Sequence, residues 1–470
     1  MSKLTHRLTA VRAGWLSEKP LIGRLSFPIL ENSRSGVQDN SVLSNRLSNR
    51  PPSPGSFVPA FQYEANWIQN GFPIGADLKF DTSIQLPPPG RRLFGFLADR
   101  SLSPRLMMLF SDNQTADPRL PENAGSDEAS GLLLPHPEHA FGGLIFEPID
   151  NDRHLHPLNA SGDMPESLRR LRTPIRRSTE FDETIYAFHA AERGKASPRD
   201  IAFLRRALTL PGRSPVFSVL RNNEMQTARL RCLHDPVDRP LWLYIALDMA
   251  RDCGIPVVDS AIEREMGETV FIQRRVDRAP HPESPDGPRL RRLPVFTAAS
   301  LVPTHRAGST RPIPFSYLAM ADILNRDGAA PATDLPMIWR RLVYRLMTGG
   351  ACADTPRTWL FTREALGWRL LPAHTLEWIS PAFSSQVLGA VGVLPTFQRA
   401  AKGLTIDGRQ ILHHPEEALA YAPYFGLSPS EGKMILMEMM RVLSGWENRV
   451  YDLGADPTDV MLMSAIFDVL

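Results

Sequence analysis

Residues 334–380 read DLPMIWRRLVYRLMTGGACADTPRTWLFTREALGWRLLPAHTLEWIS, and the fold class turns on how this stretch is parsed. Leu335, Ile338, Trp339, Leu342, Val343 and Leu346 recur at the i, i+3, i+4 spacing that places apolar groups on one helical face. The spacing predicts a helix over Leu335–Met347, N-capped by Asp334 and stopped at Gly349-Gly350. An irregular polar segment follows. Thr358–Thr362 and Gly367–Leu371 then read as two short strands of a hairpin, and Pro372–Thr375 as a loop. Helix, polar loop, hairpin and second loop is a frame able to aim several side chains at one cleft.

The rest of the composition narrows the alternatives. A chain of 470 residues can bury a large core and divide into two or three units. Charged residues make up 22% of it and the net charge is +2, so no bulk field points to nucleic acid. Cys232, Cys253 and Cys352 are widely spaced and form no CxxC pair, which suits a reducing cytosol. The histidines show no metal-ligand spacing; His154 and His156 read as part of a solvated loop. No run reaches the roughly 18 apolar residues of a membrane span. The first twenty residues lack a secretory apolar core, so the expected location is cytoplasmic.

Taken in order, residues 1–20 are expected to form a basic arm without regular structure. Leu21–Phe27 reads as a strand, residues 31–55 as a Ser/Asn/Pro-rich insertion, and Phe61–Trp67 as a second strand. Leu93–Phe110 is expected to be helical, and His139–Pro148 a strand with close backbone approach at Gly142-Gly143. Helices are predicted at Thr179–Glu192 and Pro198–Ala207. Val216–Leu220 and Thr227–Cys232 read as paired strands, and Pro240–Cys253 as a buried helix. A hairpin turning at Met266-Gly267 follows. Beyond Ser316 the pattern is mainly helical, with Ser428-Pro429 and Asp456-Pro457 as N-cap and first-turn pairs.

Several segments in this order resemble the HipA family, the kinase-fold toxins of bacterial toxin–antitoxin modules. They are FQYEANWIQNGFPI, RRLFGFLAD, FGGLIFEP, IALDMARDCGIPV, FIQRRVDR, SYLAMADILNRDGA, DLPMIWRRLVYRL, GWRLLPAHTL, YAPYFGLSPSEGKMIL and MRVLSGWENRVYDLGADPTDV. The resemblance implies an α+β, HipA-like protein-kinase-related fold with a mixed α/β N-terminal part and an all-helical C-terminal lobe. Its implied division is an N-terminal subdomain at 21–150, a kinase-like N-lobe at 151–300 and a C-lobe at 301–470. The family's activity is ATP- and magnesium-dependent phosphorylation of serine or threonine on a translation protein, and its usual partner is a small helix-turn-helix antitoxin.

Phosphoryl transfer needs a loop over the phosphates, a cation on them, an acceptor for the hydroxyl proton and oxygen ligands for magnesium. By the resemblance, the phosphate loop falls on Thr209–Ser218. It keeps Gly212, and Thr209 stands at the hydroxyl position phosphorylated in related proteins. The nucleotide lysine is replaced by Arg229, and the glutamate that would orient it by Leu243; a guanidinium is not a conservative substitute for an ammonium. The catalytic aspartate falls on Cys352 or Ala353, the metal-binding asparagine on Arg357 or Thr358, and the second metal carboxylate on Thr375, beside His374. Asp354 is the one carboxylate in that loop and the candidate substitute base. Arg274–Arg278 reads as a brace between lobes or a partner contact.

Five chemical positions therefore change together while the scaffold segments match. The expected function is a HipA-like pseudokinase, a binding or regulatory protein with no assigned metal site and no cofactor. Two alternatives stand beside it. One is an active ATP/Mg-dependent kinase toxin using Asp354 and Arg229 in shifted roles against a translation protein. The other is a corepressor acting through a helix-turn-helix antitoxin partner.

Overall fold

The structure, a computed structural model, describes residues 3–31, 58–99 (apart from 90 and 92), 140–149, 175–207 (apart from 177 and 178), 216–280 (apart from 222, 223 and 234), 290–303, 315–349, 354–378 and 405–467 (apart from 411). The bulk of the expected 31–55 insertion lies outside these residues, as do His154 and His156.

The chain begins with a sheet. Strand β1 (Lys3–Ala13) pairs antiparallel with β2 (Leu21–Glu31) from Lys3↔Glu31 to Arg12↔Leu21. Residues 3–13 are therefore not an arm, and β2 runs four residues past its expected end. The alternation of THRLTAV carries strand character that its positive charge obscured. Strand β3 (Ala60–Tyr63) adds to β2 and β4 (Leu144–Pro148) to β1, giving the order β3-β2-β1-β4. The expected strand Phe61–Trp67 stops at Tyr63. Trp67 instead sits in the short helix α1 (Ala65–Asn70), where its indole N–H donates to Phe72 O at 2.9 Å. Of the expected 93–110 helix, the described part is α2 (Gly95–Ala98).

A second, five-stranded sheet lies ahead of the cleft, in the order β5-β6-β7-β9-β8. It contains β5 (Ile175–Arg176), β6 (Val216–Arg221), β7 (Glu224–Leu230), β8 (Ser260–Glu265) and β9 (Glu268–Arg274). Helices α3 (Thr179–Glu192) and α4 (Pro198–Ala207) occupy the predicted spans and cover one face of this sheet. Phe181, Ile185, Phe188 and Leu204 form a separate small core there with Phe217, Ala228 and Ile272. Helix α5 (Arg239–Asp252) packs in the main core. The β8–β9 turn uses left-handed backbone at Met266 and Gly267, as a two-residue hairpin requires.

Past β9, the short pair β10 (Arg278–Pro280) and β11 (Leu290–Arg292) leads to β12 (Val295–Thr297) and α6 (Ala298–Leu301). A buried knot joins this region to the front sheet. Ala140 O accepts from Arg278 at 2.7 Å and from Arg275 and Arg292 at 3.2 Å, while Gly142 O accepts from Arg292 at 2.8 Å. Asp277 takes the Gly142 N–H at 2.8 Å and pairs with Arg275 and Arg278 at 2.6 Å. Burial alone would raise the Asp277 pKa, but the two guanidiniums hold it well below the usual carboxylate range. The bracing role expected for Arg275 and Arg278 is what this geometry performs.

The last part is mainly helical: α7 (Tyr317–Asp327), α8 (Pro331–Met347), a 3₁₀ segment Pro415–Phe425, α9 (Pro429–Leu443), α10 (Trp446–Asp452) and α11 (Pro457–Met463). The hairpin β13 (Leu360–Glu364) and β14 (Gly367–Leu370) joins β12 in a three-stranded sheet. Helix α8 starts at Pro331, one turn before its expected cap. Asp334 lies inside that first turn, where its carboxylate accepts from Arg369 Nε at 2.8 Å and Leu370 N at 3.0 Å, so it ties the helix to the hairpin. Ser428 and Asp456 do cap their helices, Ser428 through a capping box with Glu431. No helix among the described residues is long and apolar enough to cross a membrane.

Candidate functional site

The predicted site residues that are described lie where β7 and α5 meet the segment 371–378 and α8. Arg229 sits on the central strand β7, opposite Val216 and Phe271, and is buried. The side chain facing it is Glu377, at 3.8 Å between Nη1 and Oε1. Glu377 Oε2 also takes Arg239 Nη2 at 2.7 Å, and Arg239 reaches Asp235 at 3.5 Å. Arg239 is the first residue of α5, held there because Asp238 caps the helix through Leu241 N and Pro240 follows. Leu243, one turn on, belongs to the main apolar core. An acid therefore does face Arg229, but it comes from the segment after the hairpin and not from α5.

Electrostatics separate these two arginines. Burial lowers the Arg229 pKa, and Glu377 offsets that only in part, with Arg239 pushing the same way as burial. Burial also opposes the charged form of Arg239, but Glu377 and Asp235 outweigh it and raise its pKa.

The 371–378 segment is held by carbonyl contacts. Arg341 donates to Leu371 O, Arg345 donates to Glu377 O at 2.9 Å, and Arg345 lies 3.4 Å from Thr375 O. Ala373 pairs with the chain at Pro256 and Val258 through bonds of 2.8 and 3.0 Å. His374 is buried in this strip, and its Nδ1 makes no hydrogen bond. Burial first, then Arg229, Arg341 and Arg345, push its pKa down to about 3, so the imidazole is neutral at ordinary pH. Thr375 is buried beside it.

Asp354 is enclosed. It accepts from Tyr317 Oη at 2.5 Å, Thr358 Oγ1 at 2.8 Å and Trp359 Nε1 at 3.0 Å, with Arg345 at 3.7 Å. Only 3% of the residue is exposed. This carboxylate serves as the acceptor for three donors of the surrounding core. Arg357 and Thr358 occupy the 3₁₀ turn Pro356–Thr358; Thr358 closes a capping box with Thr355, and burial lowers the Arg357 pKa against the pull of Asp99. Thr209, Gly212, Cys352 and Ala353 lie outside the described residues. The described residues contain no cluster of three or more His, Cys, Asp or Glu groups placed to hold a metal ion.

No protein-family model matches the chain, and no curated protein does. Among solved structures, the chain is similar to HipA of Shewanella oneidensis MR-1, from a complex of the toxin–antitoxin system HipA, HipB and its operator DNA. The superposition has a TM-score of 0.54 at 14% sequence identity and covers 98% of this chain and 95% of that one. The chain has a HipA-like kinase fold. A second similar structure, the proinflammatory kinase CtkA of Helicobacter pylori, covers 53% of this chain and 94% of that one at 10% identity and a TM-score of 0.29, too low to carry an argument.

Within the HipA-like fold, the structure brings together Arg229, His374 and Thr375, and sets Asp354 apart in its own enclosure. Sequence reasoning passed over Glu377, Arg239, Arg341 and Arg345. The last two stand four residues apart on α8, among apolar neighbours, and periodicity reads arginines there as solvated. Glu377 lies two residues past the vacated position at Thr375, a carboxylate close enough to have been weighed.

Proposed function

We propose that this protein is a HipA-like pseudokinase, a binding or regulatory protein that keeps the surfaces of the toxin fold without its phosphoryl transfer. One observation carries the reading. The cation at the nucleotide position, Arg229, faces Glu377 of its own chain, while the candidate substitute base Asp354 is committed to Tyr317, Thr358 and Trp359. A general base must be within hydrogen-bond reach of the proton that it takes. Asp354 is buried with its oxygens already accepting, which leaves it no evident path to a substrate hydroxyl. Thr375, in the place of a metal carboxylate, offers magnesium a neutral hydroxyl only.

The partner expected of such a protein is a small helix-turn-helix, antitoxin-like protein. The similar HipA was solved with HipB and operator DNA, which favours that class. The division into subdomain, N-lobe and C-lobe at residues 150 and 300 belongs to the same proposal. Incubation with ATP and magnesium, followed by intact-mass measurement, should show no added phosphate on the chain. A phosphate at Thr209 or on a co-expressed translation protein, lost in Asp354→Ala, would overturn the reading in favour of an active kinase. Purification from the native host without any small helix-turn-helix protein would remove the partner assignment.

A further inference from the structure

The contact between Arg229 and Glu377 is poor by the standards of a buried ion pair. Its 3.8 Å separation exceeds hydrogen-bond length, and the buried Nε of Arg229 has no hydrogen-bond partner. The Arg229 side chain is 9% exposed, so its charge is desolvated without full compensation in return. Glu377 differs: its tighter bond, at 2.7 Å, goes to Arg239, and its side chain is 22% exposed. One flat carboxylate is thus stretched between two guanidiniums, and one edge of the seat opens to solvent. A tetrahedral oxyanion with three acceptor oxygens and a charge of roughly −1.5 to −2 would satisfy both forks better than two carboxylate oxygens do.

We propose that Arg229 and Arg239 form an oxyanion site for a phosphate-bearing ligand, which Glu377 occupies as an internal stand-in. Glu377 acts as a latch: it fills the seat in the resting protein, and phosphate groups enter only when it swings out. Backbone bonds from Arg345 to the 375 and 377 carbonyls hold the strip in place, so the movement required is confined to one side chain. The site needs no metal, because its countercharge comes from guanidiniums. The proposal rests on the pseudokinase reading only for the correspondence of Arg229 with a phosphate-facing cation.

The test uses inorganic pyrophosphate in EDTA at constant ionic strength, titrated calorimetrically into the full chain. Glu377→Gln keeps the shape and removes the competing charge, and it should bind at least about tenfold more tightly than the wild type, a difference of about 1.4 kcal/mol. Adding Arg229→Gln to that variant should abolish the gain. Equal affinity in wild type and Glu377→Gln overturns the latch, and so does tight binding that survives loss of Arg229. If circular dichroism shows Glu377→Gln unfolded, Glu377→Asp takes its place. The shorter acid cannot span both arginines, and it should give a smaller gain; no gain is again refuting. Phosphate transfer by the wild type would end the pseudokinase reading and leave this titration untouched. A flat titration would end the latch and leave that reading standing.

Discussion

Replacing Asp354 by alanine separates a structural carboxylate from a catalytic one. The substitution leaves the Tyr317 hydroxyl and the Trp359 indole N–H buried without their acceptor, while Thr358 retains Thr355 O at 2.8 Å. An orphaned buried donor costs roughly 1–3 kcal/mol. Arg345, whose side chain is 2% exposed, also loses the anion 3.7 Å away, and breaking a buried pair from one side costs about 3–5 kcal/mol. These losses share atoms and are not additive, so about 4 kcal/mol is the expected total. Asp354→Asn keeps one acceptor oxygen and should cost about half as much. A chain of this size is unsuited to a single two-state transition. The assay is therefore hydrogen exchange of peptides covering α7 and β13, whose protection should fall in the order wild type, Asn, Ala. Native protection in both variants would refute the enclosure and return Asp354 to the list of accessible bases.

Two further outcomes follow from the same region. His374 has a folded pKa lowered from 6.5 to about 3, so between those values the unfolded chain binds a proton that the folded chain refuses. Stability should therefore fall as pH drops from about 6.5 toward 3, by up to about 4 kcal/mol, and His374→Gln should flatten that slope in urea midpoints measured across it. Leu243→Glu would restore the residue type of an active kinase but sets a carboxylate in the main apolar core. A loss of at least about 3 kcal/mol is expected by thermal unfolding, and a gain in stability or nucleotide binding would count against the placement.

The architecture was legible where local chemistry repeats. Helices α3 and α4 matched their periodic spans, and Ser428 and Asp456 matched their caps. The hairpin after α8 was recoverable from its turn, although its strands shifted by one or two residues. Strand β1 was missed because Lys3, His6 and Arg7 suggest a solvated arm; its partner β2 is what makes it a strand. Asp334 shows a different limit, since a carboxylate before an apolar helix reads as a cap, whereas Arg369 and Leu370 claim it from 35 and 36 positions away. The site was legible as a set of vacancies. What fills them was not, because Arg229 meets Glu377 only after a crossing of 148 residues, and no local pattern encodes that meeting.

The knot at Asp277 gives the front sheet an unusual hinge chemistry. Buried charges are screened little by salt, so added electrolyte should leave the joint intact. Acid is its solvent: the depressed carboxylate contributes fully above the ordinary Asp value near 3.9 and is lost as pH falls further. The three arginines and Ala140 and Gly142 thus act as a weld between the opening sheet and the β9–β11 region. A protein gripping the first 150 residues would then be holding the handle of the cleft.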